Sequence, residues 1–399
     1  MSGGAATKRL YYTDAYLPEF SARVVDRAAD GKRIYLDQTA FYPTSGGQLH
    51  DLGTLAEQPV VDVVDEDGRI AHLLAAPASI EIGGEVSGKV DWTRRFDHMQ
   101  QHTGQHLLSA VFEDLFGAKT VSVHFGDATS TLDLETDSMS PQSIEKAERR
   151  ANVVIAENRR VVVTFEDAAT AKGLRKAVDR TGMLRIVTIA DLDRSACGGT
   201  HVRSTGEIGG LLIRGTERVK KAIRVEFVCG LRAVARARAD FQALTAMATS
   251  LSTSIDTVAP LVASQAAQLK EVQKEKQKLE RQVGAQFAAR LFEQTKPVAD
   301  GTLVLRMMAD EMSDEMLRSI AMTAIERPKT AFVSCSTEGR LLVSTSEDSG
   351  RDAGKALREG VGALGGKGGG SPRLAQGSVP KEKVNEALDL IHAALVRGQ

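Results

Sequence analysis

The chain has 399 residues, two to three times an ordinary domain, so it must hold more than one hydrophobic core, and disulfide-scaffold or peptide-like architectures are excluded. Hydrophobic residues at 42% and charged residues at 26% argue against disorder, collagen-like repetition or a membrane bundle. A net charge of −1 gives no global sign of nucleic acid or membrane, although a balanced total can hide local patches.

Residues 1–7 lack the apolar run of a signal peptide, and no later segment supplies the ~20 apolar residues of a membrane span. Cys197, Cys229 and Cys335 are odd in number and far apart, which fits a reducing compartment. The expected location is the cytoplasm, with no membrane partner.

From Leu10 to about Trp92 short β-type runs alternate with turn residues, with Asp67-Gly68 as a hairpin signal, and predict a small barrel-like unit over 1–93. From Arg94 to Phe116, Met99, His102, His106, Leu107, Ala110 and Val111 recur at helical spacing, and Gly117 supplies the stop. Strands over 120–125 and 130–134, a helix over 141–158, and strands over 160–165 and 185–189 follow, which reads as an α/β domain over 94–235.

Residues 236–296 are rich in Ala, Gln, Lys, Glu and Leu. Val262, Ala266, Leu269, Val272, Lys276, Leu279, Val283 and Gln286 step by three or four, the seam of a coiled coil or helical hairpin, and predict a long arm or dimer element. Alternating strands and helices over 297–399 predict a closing α/β domain. The whole chain is therefore expected to be α+β.

The strongest chemical signal is His102-Thr103-Gly104-Gln105-His106, which places two imidazoles on one helix face. Cys197-Gly198-Gly199-Thr200-His201 adds a thiol and an imidazole across a double glycine that lets them converge. His102, His106, Cys197 and His201 together suit one Zn²⁺ per chain, which accepts nitrogen and sulfur in tetrahedral geometry. A buried small hydrophobe or a nucleophile are the competing readings of Cys197. Four ligands suit a structural zinc, whereas a catalytic one keeps an open position. Asp97, His98, Gln101 and Gln105 are candidates for orienting the ligands.

Gly83 to Val90 approaches a phosphate-loop pattern, but Val90 stands where Ser or Thr should hold Mg²⁺, so a strand is expected. The glycine-rich tract 365–370 reads as a flexible linker, or, with Lys367 and Arg373, as a phosphate-binding turn. Between Leu211 and Arg238, eight Lys or Arg, among them Lys220, Lys221 and Arg224, stand against two acids and fit an anionic polymer.

The run His102-Thr103-Gly104-Gln105-His106-Leu107-Leu108-Ser109, the run Cys197-Gly198-Gly199-Thr200-His201-Val202 and the turn Ser45-Gly46-Gly47-Gln48 together resemble the editing domain of alanyl-tRNA synthetases and the freestanding AlaX editing proteins. Residues 365–377 look like the C-terminal domain of those synthetases, shared with DHH-type phosphoesterases. The resemblance covers almost the whole chain and implies a long-form, freestanding hydrolase that removes serine, or glycine, from mischarged tRNA(Ala) with zinc and without ATP.

It also implies that Gly46, Gly47 and Gln48, with Thr44 and Gln105, line the amino-acid pocket, that Lys220, Lys221, Arg224, Lys367 and Arg373 hold tRNA, and that the chain is a homodimer through the arm or the last domain. There is no room for an aminoacylation domain. Two departures stand out: Gly104 where the family often has Ala, expected to weaken the helix, and Thr44 where synthetases commonly have Glu. The competing readings are a non-catalytic tRNA-binding protein with structural zinc and a phosphoesterase, the latter without the Asp-His-His motif.

Overall fold

A computed structural model describes residues 5–179, 181–310 and 312–398, and the chain divides into two compact units, 1–247 and 248–399. In the first unit, six antiparallel strands close into a barrel in the order Glu19–Arg27, Arg33–Leu36, Arg69–Leu74, Gln58–Glu66, Gly53–Leu55, Glu85–Val90 and back to the first. Alternate residues point inward, so Phe20, Ala22, Val24, Ile34, Leu36, Val63 and Val86 fill the interior. The Asp67-Gly68 turn joins two of these strands with both residues at positive φ, as a tight hairpin demands. Glu85–Val90 is a barrel strand, as expected of the segment that imitates a phosphate loop.

Helix α1 (Trp92–Phe116) leaves the barrel, capped by Asp91 accepting from the Arg94 N–H and stopped by Gly117 at φ +66°. Its middle is buried on nearly every face. Arg95, fully buried, donates to Asp51 and to the Ala15 and Ala40 carbonyls, which locks the helix to the barrel segments. The helix packs on a four-stranded antiparallel sheet ordered Leu211–Val219, Ala222–Cys229, Ser130–Leu134, Thr120–Phe125, and on α2 (Pro141–Ala156). Leu107, Leu108, Val111 and Phe112 meet Leu132, Leu134, Val225, Phe227 and Val154 there. A second antiparallel sheet runs Val161–Asp167, Met183–Ile189, Asp193–Ala196. Helix α3 (Gly230–Ser250) crosses the boundary between the units.

The second unit opens with α4 (Ile255–Gln294), 40 residues long. Its sheet is ordered Leu303–Met308, Thr330–Cys335, Arg340–Thr345, Leu374–Ser378, Lys367–Gly370, with only the first pair parallel. The helices α5 (Asp314–Ala324) and α4 cover one face, and α6 (Ala353–Gly362) and α7 (Val384–Arg397) the other.

The glycine tract is not a linker: Lys367–Gly370 is an edge strand paired with Leu374–Ser378, and the turn between the two strands carries Arg373. Its glycines admit close neighbours, since a Cβ on Gly368 would stand 2.8 Å from Leu357 Cδ2 and 2.9 Å from Gly377 Cα. Within the single chain the heptad seam of α4 faces solvent, with Leu269, Val272 and Leu279 about 59–60% exposed, while Gly284 and Ala288 face α5.

Candidate metal centre

Helix periodicity places His102 and His106 on one side of α1, and the end of strand Asp193–Ala196 delivers Cys197 and His201 to the same point. One ligand atom from each of the four lies within 4.8 Å of every other. His102 Nε2 stands 3.4 Å, and His201 Nε2 3.3 Å, from Cys197 Sγ. A donor set of three imidazoles and one thiolate in this space fits a metal ion that takes nitrogen and sulfur.

Each imidazole is fixed from behind. His102 Nδ1 lies 2.8 Å from Gln48 Oε1, an oxygen that also accepts the Thr200 N–H, while Gln48 Nε2 donates to Thr200 Oγ1. His106 Nδ1 lies 2.9 Å from Asp193 Oδ2, and Asp193 is itself held by Arg175 Nε at 2.6 Å and by Ser195 Oγ. His201 Nδ1 lies 3.1 Å from Thr103 Oγ1, whose proton goes to the Met99 carbonyl and which also accepts the Val202 N–H. All three Nδ1 atoms thus face acceptors, which favours the Nδ1–H form of each neutral ring and turns every Nε2 towards the common point, where a bound metal would displace any further proton.

The charges follow. Burial would push the Cys197 thiol up, but His102 and His201 beside it hold it well below the usual thiol value, as a thiolate. Burial would lower His106, yet its bonds to Asp193 and Cys197 keep it up at about 9, and Asp193 is held below the usual carboxylate range by His106 and Arg175 against its own burial. His201 is pushed down to about 3 by burial and by the neighbouring His102.

The double glycine has a steric reason. A Cβ on Gly199 would lie 2.2 Å from His102 Cε1 and 3.0 Å from Gln48 Oε1, so only glycine lets this backbone pass the ligand ring. Gly104 also has one, which corrects the expectation of a loosened helix. It packs inside the core, and a Cβ there would stand 2.3 Å from the Cys229 sulfur. Cys229 and Cys335 are buried free thiols.

The remaining expected site residues are distributed around this centre. Gly46 and Gly47 adopt positive φ in a turn closed between Ser45 and Gln48, and Gly47 lies against Val123 and the Phe125 ring, whose centroid is 4.9 Å from that of His102. Gln48 is buried as the support of His102. Thr44 is exposed, and its hydroxyl accepts the His50 N–H. Gln105 is buried and donates to Ser109 Oγ at 2.7 Å. Asp97 and Gln101 bind Arg232 and the Cys229 backbone rather than ligands. His98 is buried, with no partner for its Nδ1 among the described residues.

Lys220 and Lys221 form the tip of a hairpin, while Arg224 spends its guanidinium on Asp133 at 2.8 and 3.0 Å. Lys367 lies on the exposed edge strand and Arg373 in the turn beyond it. Asp193, Thr103 and Arg175 are functional supports that sequence reasoning did not single out.

Fold and site define an α+β protein in which a buried cluster of three imidazoles and one thiol, a donor set that could hold a metal ion, lies beside a closed β-barrel. The family model described as the threonyl and alanyl tRNA synthetase second additional domain matches residues 184–226, and the DHHA1 domain matches 300–397. The alanyl-tRNA editing protein AlaX-L of Pyrococcus horikoshii is 30% identical over 97% of this chain and 99% of its own length. AlaX-M of Methanosarcina mazei is 34% identical over 55% of this chain and 94% of its own, and the alanine–tRNA ligase of Pyrococcus abyssi is 30% identical over 96% of this chain but 43% of its own. The chain belongs to the alanyl-tRNA editing protein family. Among the described residues no helix is long and apolar enough to cross a membrane.

Proposed function

We propose that this protein is a trans-editing deacylase that hydrolyses the ester of tRNA(Ala) carrying a wrong amino acid, serine foremost and glycine second, with one zinc ion per chain. Family membership supports the reaction class. The observation that carries the metal is the pairing of all three Nδ1 atoms with buried acceptors, which turns three Nε2 atoms and a thiolate to one point. Zinc bound there would supply Lewis acidity towards the ester and water, or would act mainly by orienting the substrate.

The chain's own residues do the rest. Asp193, Thr103 and Gln48 hold the imidazoles, and Gly46, Gly47, Gln48 and Gln105 border the amino-acid pocket, with Thr44 on the outer rim of the same loop. A site that pairs the seryl hydroxyl rejects alanine, which would leave a buried polar group unpaired. Residues 1–93 and 94–235 form the editing half, 236–296 the arm and 297–399 the domain that holds tRNA through Lys367 and Arg373, aided by Lys220, Lys221 and Arg224. The solvent-facing apolar seam of α4 supports a homodimer, and the protein acts in the cytoplasm without ATP.

The test is release of amino acid from Ser-, Gly- and Ala-tRNA(Ala), with and without a chelator. We expect serine released fastest, alanine spared, and activity lost on chelation and restored by zinc; zinc-replete protein that releases no serine sinks the reading. The closed four-donor set also favours a second reading, a tRNA-binding protein with structural zinc. A Cys197→Ala protein that stays folded, binds tRNA and no longer hydrolyses the ester eliminates it.

A further inference from the structure

The rim of the metal centre carries a cationic group that the proposed chemistry leaves unused. Cys197 is the one ligand that is not fully buried, and Gly198 beside it is exposed, so the centre opens on this side. The Tyr12 hydroxyl stands over Gly198, where a Cβ would lie 3.5 Å from it. It accepts from Arg9 Nη1 at 3.1 Å, and its own proton has no acceptor among the described residues. Behind the ring lies Arg185, its guanidinium carbon 5.4 Å from the Tyr12 centroid. Its Nη1 donates to the Cys197 carbonyl at 2.7 Å and its Nε to the Tyr12 carbonyl at 3.1 Å.

Arg185 is only 8% exposed, yet among the described residues no carboxylate pairs with it. Its Nη2 has no partner there either and, unlike the orphaned Tyr11 hydroxyl beneath, is not sealed from solvent. Buried guanidinium groups ordinarily pair with acids, as Arg95 does with Asp51. The mouth of the centre thus carries, on one side, an unspent guanidinium N–H and an unspent phenol O–H. That pair matches the oxygens of a phosphodiester.

We propose that Arg185 and Tyr12, with Arg9 steadying the phenol, form a phosphate subsite that takes the phosphodiester joining the last two nucleotides of the tRNA 3′ strand and so sets the terminal ribose ester over the metal. This rests on the deacylase reading for the identity of the strand, not for the anion site itself.

The test uses the full-length zinc-loaded protein and two minimal substrates, the seryl ester of adenosine and the seryl ester of cytidylyl-adenosine, which differ by one phosphodiester and a nucleoside. Binding of free cytidylyl-adenosine is measured alongside. In the native protein, kcat/KM for the dinucleotide ester should exceed that for the adenosine ester by about ten- to a hundredfold, the size of a lost charged hydrogen bond.

Arg185→Gln should bring that ratio close to one, mainly through KM, and weaken dinucleotide binding by about tenfold, with Arg185→Lys recovering part of it. A ratio unchanged in Arg185→Gln overturns the proposal, including the case where both esters slow equally, which would mean that Arg185 serves the ester oxygen instead. If Arg185→Gln loses zinc or fold, Tyr12→Phe decides: a fall in the ratio sustains the subsite and an unchanged ratio overturns it. If the native protein hydrolyses neither ester, the deacylase reading fails, and dinucleotide binding that does or does not depend on Arg185 still decides the subsite.

Discussion

The contact between Gly104 and Cys229 predicts a reciprocal pair of substitutions. In Gly104→Ala the added methyl would lie 2.3 Å from Cys229 Sγ, well inside the 3.5–4.0 Å at which non-bonded carbons rest. Neither side yields easily. The Cys229 backbone is held at both ends by Gln101, with its N–H on Oε1 at 2.9 Å and its carbonyl on Nε2 at 3.1 Å, and α1 cannot shift without moving His102 and His106. Overpacking of this kind costs about 1–3 kcal/mol, against about 0.5–1 kcal/mol gained by replacing a helical glycine with alanine.

Cys229→Ala alone removes one buried heavy atom and costs about 1 kcal/mol. In the double variant the sulfur is gone and the two Cβ atoms meet at 3.6 Å, an ordinary contact. It should therefore match the native protein to within about 0.5 kcal/mol, with a coupling of about 2 kcal/mol. Trp92, the one tryptophan, begins α1 and packs on Tyr16 and Phe96, so its fluorescence reports unfolding of this unit in urea. Additivity of the two single changes to within about 0.5 kcal/mol would refute the reasoning.

Gly199→Ala should drive the His102 ring out of place and give folded protein with substoichiometric zinc; full metal content after dialysis would contradict the steric account. Asp193→Asn should weaken zinc binding by about 10–100-fold in a chelator competition while the fold persists, because it releases the His106 ring. His72 is buried in the barrel between Thr39 Oγ1 and the Ile34 carbonyl, and burial lowers it from 6.5 to about 4. Its neutral form is the folded one, so its contribution is complete above pH 6.5 and is lost as pH falls through 4. Urea stability of the barrel should drop by about 2 kcal/mol between pH 7 and pH 5, and a His72→Gln protein should show a shallower drop.

The parts of this molecule that could be read from sequence are those whose cause is local. Period-two alternation marks the barrel strands, and the Asp67-Gly68 turn and the Gly117 stop stand where the residue types place them. The convergence of the four candidate metal donors was legible because each pair is close in sequence and chemically uncommon. Features whose cause is a tertiary contact leave no such local signal. Gly366, Gly368 and Gly370 look like a linker by composition, but a Cβ on each would run into α6 or the neighbouring strand. The heptad stripe of α4 is real as a pattern, yet periodicity shows only that an apolar face exists. The face buried against α5 is built on Gly284 and Ala288, which hydrophobic patterning passes over.

The same distinction explains the supports of the metal centre. Gln48 reaches His102 from 54 residues away, and the bond exists only because the Ser45–Gln48 turn docks beside the strand carrying Phe125. Asp193 could have been suspected: it begins the strand that runs into Cys197, and pairing of that strand with Met183–Ile189 fixes both it and the Cys197 N–H, which donates to the Arg185 carbonyl at 3.0 Å. One short ladder therefore delivers a ligand, the carboxylate that orients another ligand and the unpaired guanidinium of the rim. A substitution that slips the strand Asp193–Ala196 by one residue would turn Asp193 to the opposite face and pull Cys197 out of register with Arg185, whose Nη1 it anchors, in one event. Metal affinity and the response to the phosphodiester should then fail in the same variant, whereas Asp193→Asn and Arg185→Gln each remove only one of them.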